Sequence, residues 1–209
     1  MPSLIYLINR QKVKKYAIIS YYLLFGVFTD LFLSPTIDVF FKTPFGGARI
    51  FSIVEFSLLS FFIYRNTISN NKAKLFLLGS ITFLVTTIYE NFISSYNNFD
   101  SITTGISALI ILIYSIFYLF QIISSPKGMP KLDASFTIII SFIIYFAGTF
   151  FIYILSKNNF IDKSFQELYT LINSSILILR NIIITTAFLQ SSKQENFNHN
   201  QLSRIKISH

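Results

Sequence analysis

Apolar residues fill six long stretches of the chain, and short polar segments separate them. Each stretch approaches the length of about 20 apolar residues that a helix needs to cross a bilayer. A helix satisfies its backbone hydrogen bonds within one segment, as lipid requires. The pattern therefore predicts an all-α fold, a polytopic transmembrane helix bundle of about six spans. The predicted spans cover residues 16–33, 49–64, 75–93, 102–123, 134–155 and 166–190.

The segments between the predicted spans are short, with one exception at residues 34–48. That segment contains Pro35, Pro44 and a Gly-Gly pair, so we predict a structured loop rather than a helix there. The chain then divides into a basic N-terminal interfacial segment at 1–15, the bundle at 16–190 and a polar cytoplasmic tail at 191–209. We expect the tail to be mobile or to form a short docking segment.

Composition supports a membrane location. The chain of 209 residues is 53% hydrophobic and only 12% charged, about half the charged fraction of a soluble domain. So few charges could hardly cover a water-facing surface, whereas a lipid-facing surface needs none.

The positive charges predict the orientation. Twelve of the 17 Lys and Arg lie in the segments 1–15, 65–74, 124–133 and 191–209, and four lie in the alternate segments. The positive-inside rule then places both termini in the cytoplasm, with the chain in the inner cell membrane. We expect the basic surface to face anionic inner-leaflet lipids rather than nucleic acid. Its residues are Arg10, Lys12, Lys14, Lys15, Arg65, Lys72 and Lys74.

Three ionisable residues lie within predicted spans: Glu55, Glu90 and Arg180. A charge at the centre of a bilayer costs about 2.5–3.5 kcal/mol on insertion scales, so such residues face the bundle interior and find partners. Counted from the inner ends of their spans, Glu55 lies about 15 Å deep and Arg180 about 20 Å deep. They could therefore pair if the second and sixth spans are neighbours.

Two interpretations of Glu55 and Arg180 stay open at this point. The pair could fix helix register, since removing one member of a buried pair is costly. It could equally line a polar cavity, a proton path or a pore. Asn173 lies seven residues before Arg180 on the same helix face, whereas Asn181 is adjacent and should point elsewhere.

Glu90 lies about 24 Å from Lys74 along its span, in the outer third of the membrane. Together with Arg49 and Tyr89 it could form an outward-facing pocket, or Tyr89 could serve as an interfacial anchor.

The chain lacks the residues that most catalytic mechanisms require. There is no cysteine, and both histidines, His199 and His209, lie in the polar tail. No H-E-x-x-H, G-x-S-x-G or phosphate-loop motif occurs. We expect no enzyme activity, no cofactor and no metal site.

Three segments together carry a resemblance: ARIFSIVEFSLLSFFIYR at 48–65, FTIIISFIIYFAGTFFIYILS at 136–156 and LYTLINSSILILRNIIITTAFLQ at 168–190. They resemble short bacterial membrane proteins of six or seven helices, which include sensor-like modules and the membrane accessory proteins of type VI-B CRISPR systems. The missing catalytic residues, the basic cytoplasmic face and the short tail favour a non-catalytic accessory or regulatory protein that serves a cytoplasmic partner. The resemblance implies that its setting is antiviral defence. An oligomeric channel and a small-ligand sensor are the alternatives, and we expect a homo-oligomer or a complex with a cytoplasmic protein.

Overall fold

Six helices make up the part of the chain that the computed structural model describes, which is residues 16–29, 46–67, 72–93, 101–124, 134–159 and 162–207. The fold is therefore all-helical. In chain order the helices are α1 (Ala17–Phe28), α2 (Gly46–Asn66), α3 (Lys72–Ile93), α4 (Ser101–Ile123), α5 (Ala134–Asn159) and α6 (Lys163–Ile207).

Four of these helices are long and apolar enough to cross a membrane. Their apolar windows are Lys72–Glu90, Ile102–Ile123, Ala134–Ile152 and Lys163–Ser191, and α1 is a shorter apolar helix. α3 and α6 also expose broad apolar surfaces, which a soluble protein would have to cover. The most exposed of these side chains are Leu77, Leu78, Leu84 and Val85 on α3 and Leu171, Ile178 and Ile182 on α6. Length and exposure together indicate a membrane protein.

The centre of the bundle is the packing of α4 on α5 and of α5 on α6. α2 packs on α1 and α4, whereas α3 packs mainly on α4 and touches α2 only lightly. Large aromatic and β-branched side chains fill the interior, among them Tyr22, Phe62, Phe142, Ile184 and Phe188. α3 is therefore a peripheral helix, and it leaves a groove beside α2.

Two glycines let neighbouring helices approach closely. A Cβ atom at Gly79 would collide with the hydroxyl of Tyr114 and lie 2.9 Å from Ile110, so α3 can contact α4 only because the position is glycine. The Tyr114 hydroxyl donates a 3.1 Å hydrogen bond to the carbonyl oxygen of Phe76, one turn before that contact. Gly148 plays the same part for α5 and α6 through Ile176.

The structure differs from the sequence-based boundaries in two places. α2 begins at Gly46, inside the predicted loop, because the first turn of a helix needs no intrahelical partners for its N–H groups and tolerates glycine there. α6 continues through the predicted tail to Ile207. The tail is polar but contains neither proline nor glycine, so its polarity alone does not end the helix. The N-terminal segment 1–15 and residues 30–45 lie outside the described residues.

Candidate functional site

A tyrosine hydroxyl joins the two charges in the middle of the bundle. Tyr22 on α1 donates a 2.6 Å hydrogen bond to Oε1 of Glu55 on α2. The same hydroxyl accepts a hydrogen bond from Nη1 of Arg180 on α6. These three residues are referred to below as the Tyr22 relay, and they join three helices that are distant in the sequence.

The relay uses each group in its ordinary hydrogen-bonding role. A guanidinium can only donate, an ionised carboxylate can only accept, and a hydroxyl can do both at once. Direct contact between the charges is weaker, since Nη1 of Arg180 lies 4.0 Å from Oε1 of Glu55. Tyr22 therefore adds a hydrogen-bonded bridge to the direct attraction between the two charges.

Two further residues surround the guanidinium of Arg180. Its carbon lies 4.4 Å from the ring centroid of Tyr145 on α5 and 5.2 Å from that of Tyr22. Both distances fall within the range of cation–π attraction, which is strongest where the cation is desolvated. Nη2 of Arg180 also donates to Oδ1 of Asn181 at 3.5 Å. The prediction that Asn181 points elsewhere is therefore wrong, because the long arginine side chain folds back toward its neighbour.

Aromatic packing fixes the position of the Tyr22 hydroxyl. The Tyr22 ring stacks near Phe51 on α2, with 6.3 Å between centroids, and meets Phe142 on α5 edge to face at 6.4 Å. Glu55 and Arg180 are each only 5% exposed. A desolvated pair of this kind is held at considerable cost unless hydrogen bonds complete it, which is what the relay supplies.

Asn173 lies on the same helix as Arg180 but is not joined to the relay in the structure. Its side-chain oxygen is buried and forms no hydrogen bond within the described part of the chain. Its assignment to the buried polar pair stays a prediction.

Glu90 caps the next helix. Its two carboxylate oxygens accept hydrogen bonds from two backbone amides in the first turn of α4, at 3.2 Å from Ile102 and 2.7 Å from Thr103. A carboxylate at a helix N-terminus satisfies unpaired N–H groups and complements the helix dipole. Neighbouring Tyr89 is 53% exposed, and the side chain of Arg49 lies outside the described residues. The outward pocket stays a prediction, while Glu90 has a clear structural task.

Part of the predicted basic surface comes together where α2 ends and α3 begins. Arg65 and Lys74 are exposed there. Lys72 donates to the carbonyl oxygens of Thr67 at 2.8 Å and Tyr64 at 3.4 Å, and its ammonium lies 4.8 Å from the Tyr64 ring centroid. The other predicted members, Arg10, Lys12, Lys14 and Lys15, lie outside the described residues.

Among the described residues, no group of three or more His, Cys, Asp or Glu side chains could hold an ion. The relay joins α1, α2 and α6 through buried hydrogen bonds, an arrangement suited to fixing the position of helices relative to one another. Sequence reasoning singled out Glu55 and Arg180 but missed Tyr22, because one tyrosine in an aromatic-rich span gives no signal that it bridges charges.

Comparisons of the chain with protein-family models, with curated proteins and with solved structures find no match.

Proposed function

We propose that this protein is a non-catalytic membrane regulatory module that acts on a cytoplasmic partner through the extended helix α6. In this proposal all six helices cross the inner membrane and both termini lie in the cytoplasm. The excess of Lys and Arg on one set of connecting segments supports that orientation.

The length of α6 is the observation that carries the proposal. The helix has 45 residues without interruption, which corresponds to about 67 Å, against about 30 Å for the hydrocarbon core of a bilayer. Its apolar window ends at Ser191. The remaining turns, to Ile207, therefore form a rod of about 24 Å that leaves the membrane and can meet a soluble protein.

The Tyr22 relay gives this rod a defined position. Arg180 lies eleven residues before Ser191 on the same helix, and the relay holds it against α1 and α2. A movement of α6 along or about its axis would separate these groups. Packed helices switch between discrete arrangements rather than deforming continuously, so the relay defines one such state, and a partner bound to the rod would sense it.

Capture of the partner from native membranes tests the proposal. The full chain would be compared with a chain ending at Ser191 and with Ser191→Pro, which breaks the helix at its exit from the membrane. Ser191→Ala serves as the matched control. We expect covalent cross-linking to recover the same protein with the full chain and the control only. Equal recovery with the truncated chain would refute a role for the rod.

The recovered protein also tests the resemblance noted from the sequence, which predicts a component of bacterial antiviral defence. That setting stays a prediction.

An oligomeric channel has less support. Its candidate charges, Glu55 and Arg180, engage one another through Tyr22 and are almost fully buried. Planar-bilayer recordings of the wild type and Glu55→Gln address this alternative. A conductance that the substitution alters would favour the channel over the regulatory module.

A further inference from the structure

An open groove runs between α2 and α3 on the outside of the bundle. It has a volume of about 730 Å³ and is lined by uncharged side chains, including Ile53, Phe61, Leu84 and Ile88. It exists because α3 packs mainly on α4 and touches α2 only lightly.

Two aromatic pairs form the floor of the groove. The rings of Phe56 and Phe83 stack with centroids 4.0 Å apart, and those of Tyr64 and Phe76 meet at 5.3 Å. Along α2 the lining extends from Ile53 to Tyr64, which is about 17 Å. One leaflet contributes about 15 Å of hydrocarbon. The groove therefore has room for the ester region of one lipid and for about two thirds of an acyl chain in a single leaflet.

One end of the groove is basic. Lys72 lies one turn before Phe76 on the groove side of α3, and its ammonium sits beside the ring of Tyr64. Arg65 follows Tyr64 directly on α2, and Lys74 is close by at the start of α3. The N-terminus of α3 adds unpaired N–H groups and the positive end of its dipole. All of these features favour a negatively charged group at this end.

A buried hydroxyl lies between the aromatic pairs. Ser60 lines the groove, is 8% exposed, and its hydroxyl forms no hydrogen bond to any described residue. Ser57, which also lines the groove, donates a 2.7 Å hydrogen bond to the carbonyl oxygen of Ile53. Ser60 lies five residues from Arg65, or about 8 Å along the helix. That is about the thickness of the polar headgroup layer, so a lipid anchored by its phosphate would bring its ester groups to the level of Ser60.

We propose that the α2–α3 groove binds one anionic glycerophospholipid. Its acyl chain lies over Phe56 and Phe83, and the Ser60 hydroxyl, turned from its buried position toward the groove, donates to an ester carbonyl. Its phosphate lies between Arg65, Lys72 and the first turn of α3. The proposal does not depend on the cytoplasmic partner, so the two can fail separately.

Native mass spectrometry of delipidated protein tests the site. The protein would be titrated with phosphatidylglycerol, with phosphatidylcholine of the same acyl chains, and with glycerol 3-phosphate, which is soluble. We expect one phosphatidylglycerol to bind at least tenfold more tightly than phosphatidylcholine, and glycerol 3-phosphate not to compete. Equal affinity for the two lipids would overturn the charge argument. Full competition by glycerol 3-phosphate would replace the lipid with a free phosphate site.

Substitutions locate the site. We expect Arg65→Gln and Lys72→Gln each to lower the affinity for phosphatidylglycerol about fivefold, equivalent to about 1 kcal/mol per cation. Lys163→Gln, at an exposed position on α6, is the matched control and should change nothing. Arg65 is exposed near the end of α2, so its variant tests the charge even if Lys72→Gln disturbs the helix ends.

The serine pair tests the depth of the lipid. Ser60→Ala should weaken binding of phosphatidylglycerol, whereas Ser57→Ala should not, because its hydroxyl already has an acceptor. Equal effects of the two variants, or none from Arg65→Gln, would place the lipid elsewhere. A stable dimer that the groove-filling variant Ser57→Phe disrupts, and that lipid does not displace, would assign the groove to a second copy of the chain.

Discussion

Tyr22 and Glu55 are 33 positions apart in the sequence, yet the tyrosine hydroxyl lies 2.6 Å from a carboxylate oxygen of the glutamate. Arg180 approaches the same hydroxyl from α6. A charge pair that lies 4.0 Å apart thereby becomes a continuous hydrogen-bonded chain. Such chains polarise their members and gain strength in a medium of low dielectric constant.

The charges of the relay should be energetically coupled. We expect Glu55→Gln and Arg180→Gln each to destabilise the protein by about 2.5–3.5 kcal/mol, the cost of a lone charge in the bilayer. The double variant should lose much less than the sum, because no unpaired charge remains. Thermal unfolding in detergent measures the stability of the wild type, the two single variants and the double variant. Glu167→Gln and Lys163→Gln, both at exposed positions on α6, are the matched control substitutions. Additive losses at 55 and 180 would show that the charges do not interact.

Many of the helices were predictable from the sequence because a helix that crosses lipid needs a long apolar segment. Glu55 and Arg180 stood out for the same reason, since charges inside spans are rare. The relay was not predictable, because hydropathy does not report which face of α1 carries Tyr22. The continuation of α6 was missed because hydropathy marks where a helix leaves lipid, whereas backbone propensity decides where it ends.

The contact between α3 and α4 should depend on Gly79. A Cβ atom there overlaps the Tyr114 hydroxyl, whereas one at Gly26 would lie 3.5 Å from Phe51, an ordinary contact. Gly79→Ala is therefore expected to cost about 1–3 kcal/mol through overpacking. Gly26→Ala should be neutral or slightly stabilising, since alanine favours the helix. Thermal unfolding compares the stabilities of the two variants. Equal stability would mean that α3 can shift away from Tyr114 at no energetic cost.

Glu90 should protect the backbone amides in the first turn of α4 from hydrogen exchange. Glu90→Ala removes two hydrogen bonds to Ile102 and Thr103, and bonds to a charged group contribute about 1.5–3 kcal/mol each. Hydrogen exchange at these two amides should accelerate, while exchange in the middle of α4 should not. Tyr89→Phe, at the exposed neighbouring position, should leave exchange unchanged. Unaltered protection in Glu90→Ala would mean that other groups cap the helix.

The orientation can be tested directly because the natural chain has no cysteine. Ser124 and Ser164 are exposed and flank α5, so a single crossing separates them. A membrane-impermeant thiol reagent should label Ser164→Cys in intact cells, and Ser124→Cys only after the cells are opened. The reverse pattern would invert the proposed topology, and labelling of both in intact cells would remove α5 from the membrane.

The position of α6 in the absence of the relay is the most direct test of the account. Spin labels on Leu24→Cys and Gln190→Cys, both at exposed positions on α1 and α6, report the separation of these helices by pulsed electron paramagnetic resonance. We predict one narrow distance distribution in the otherwise unaltered chain and in the control Tyr21→Phe, whose side chain is 56% exposed. Tyr22→Phe removes only the bridging hydroxyl, and the distribution should broaden or shift. An identical narrow distribution in Tyr22→Phe would contradict the claim that the relay sets the position of α6.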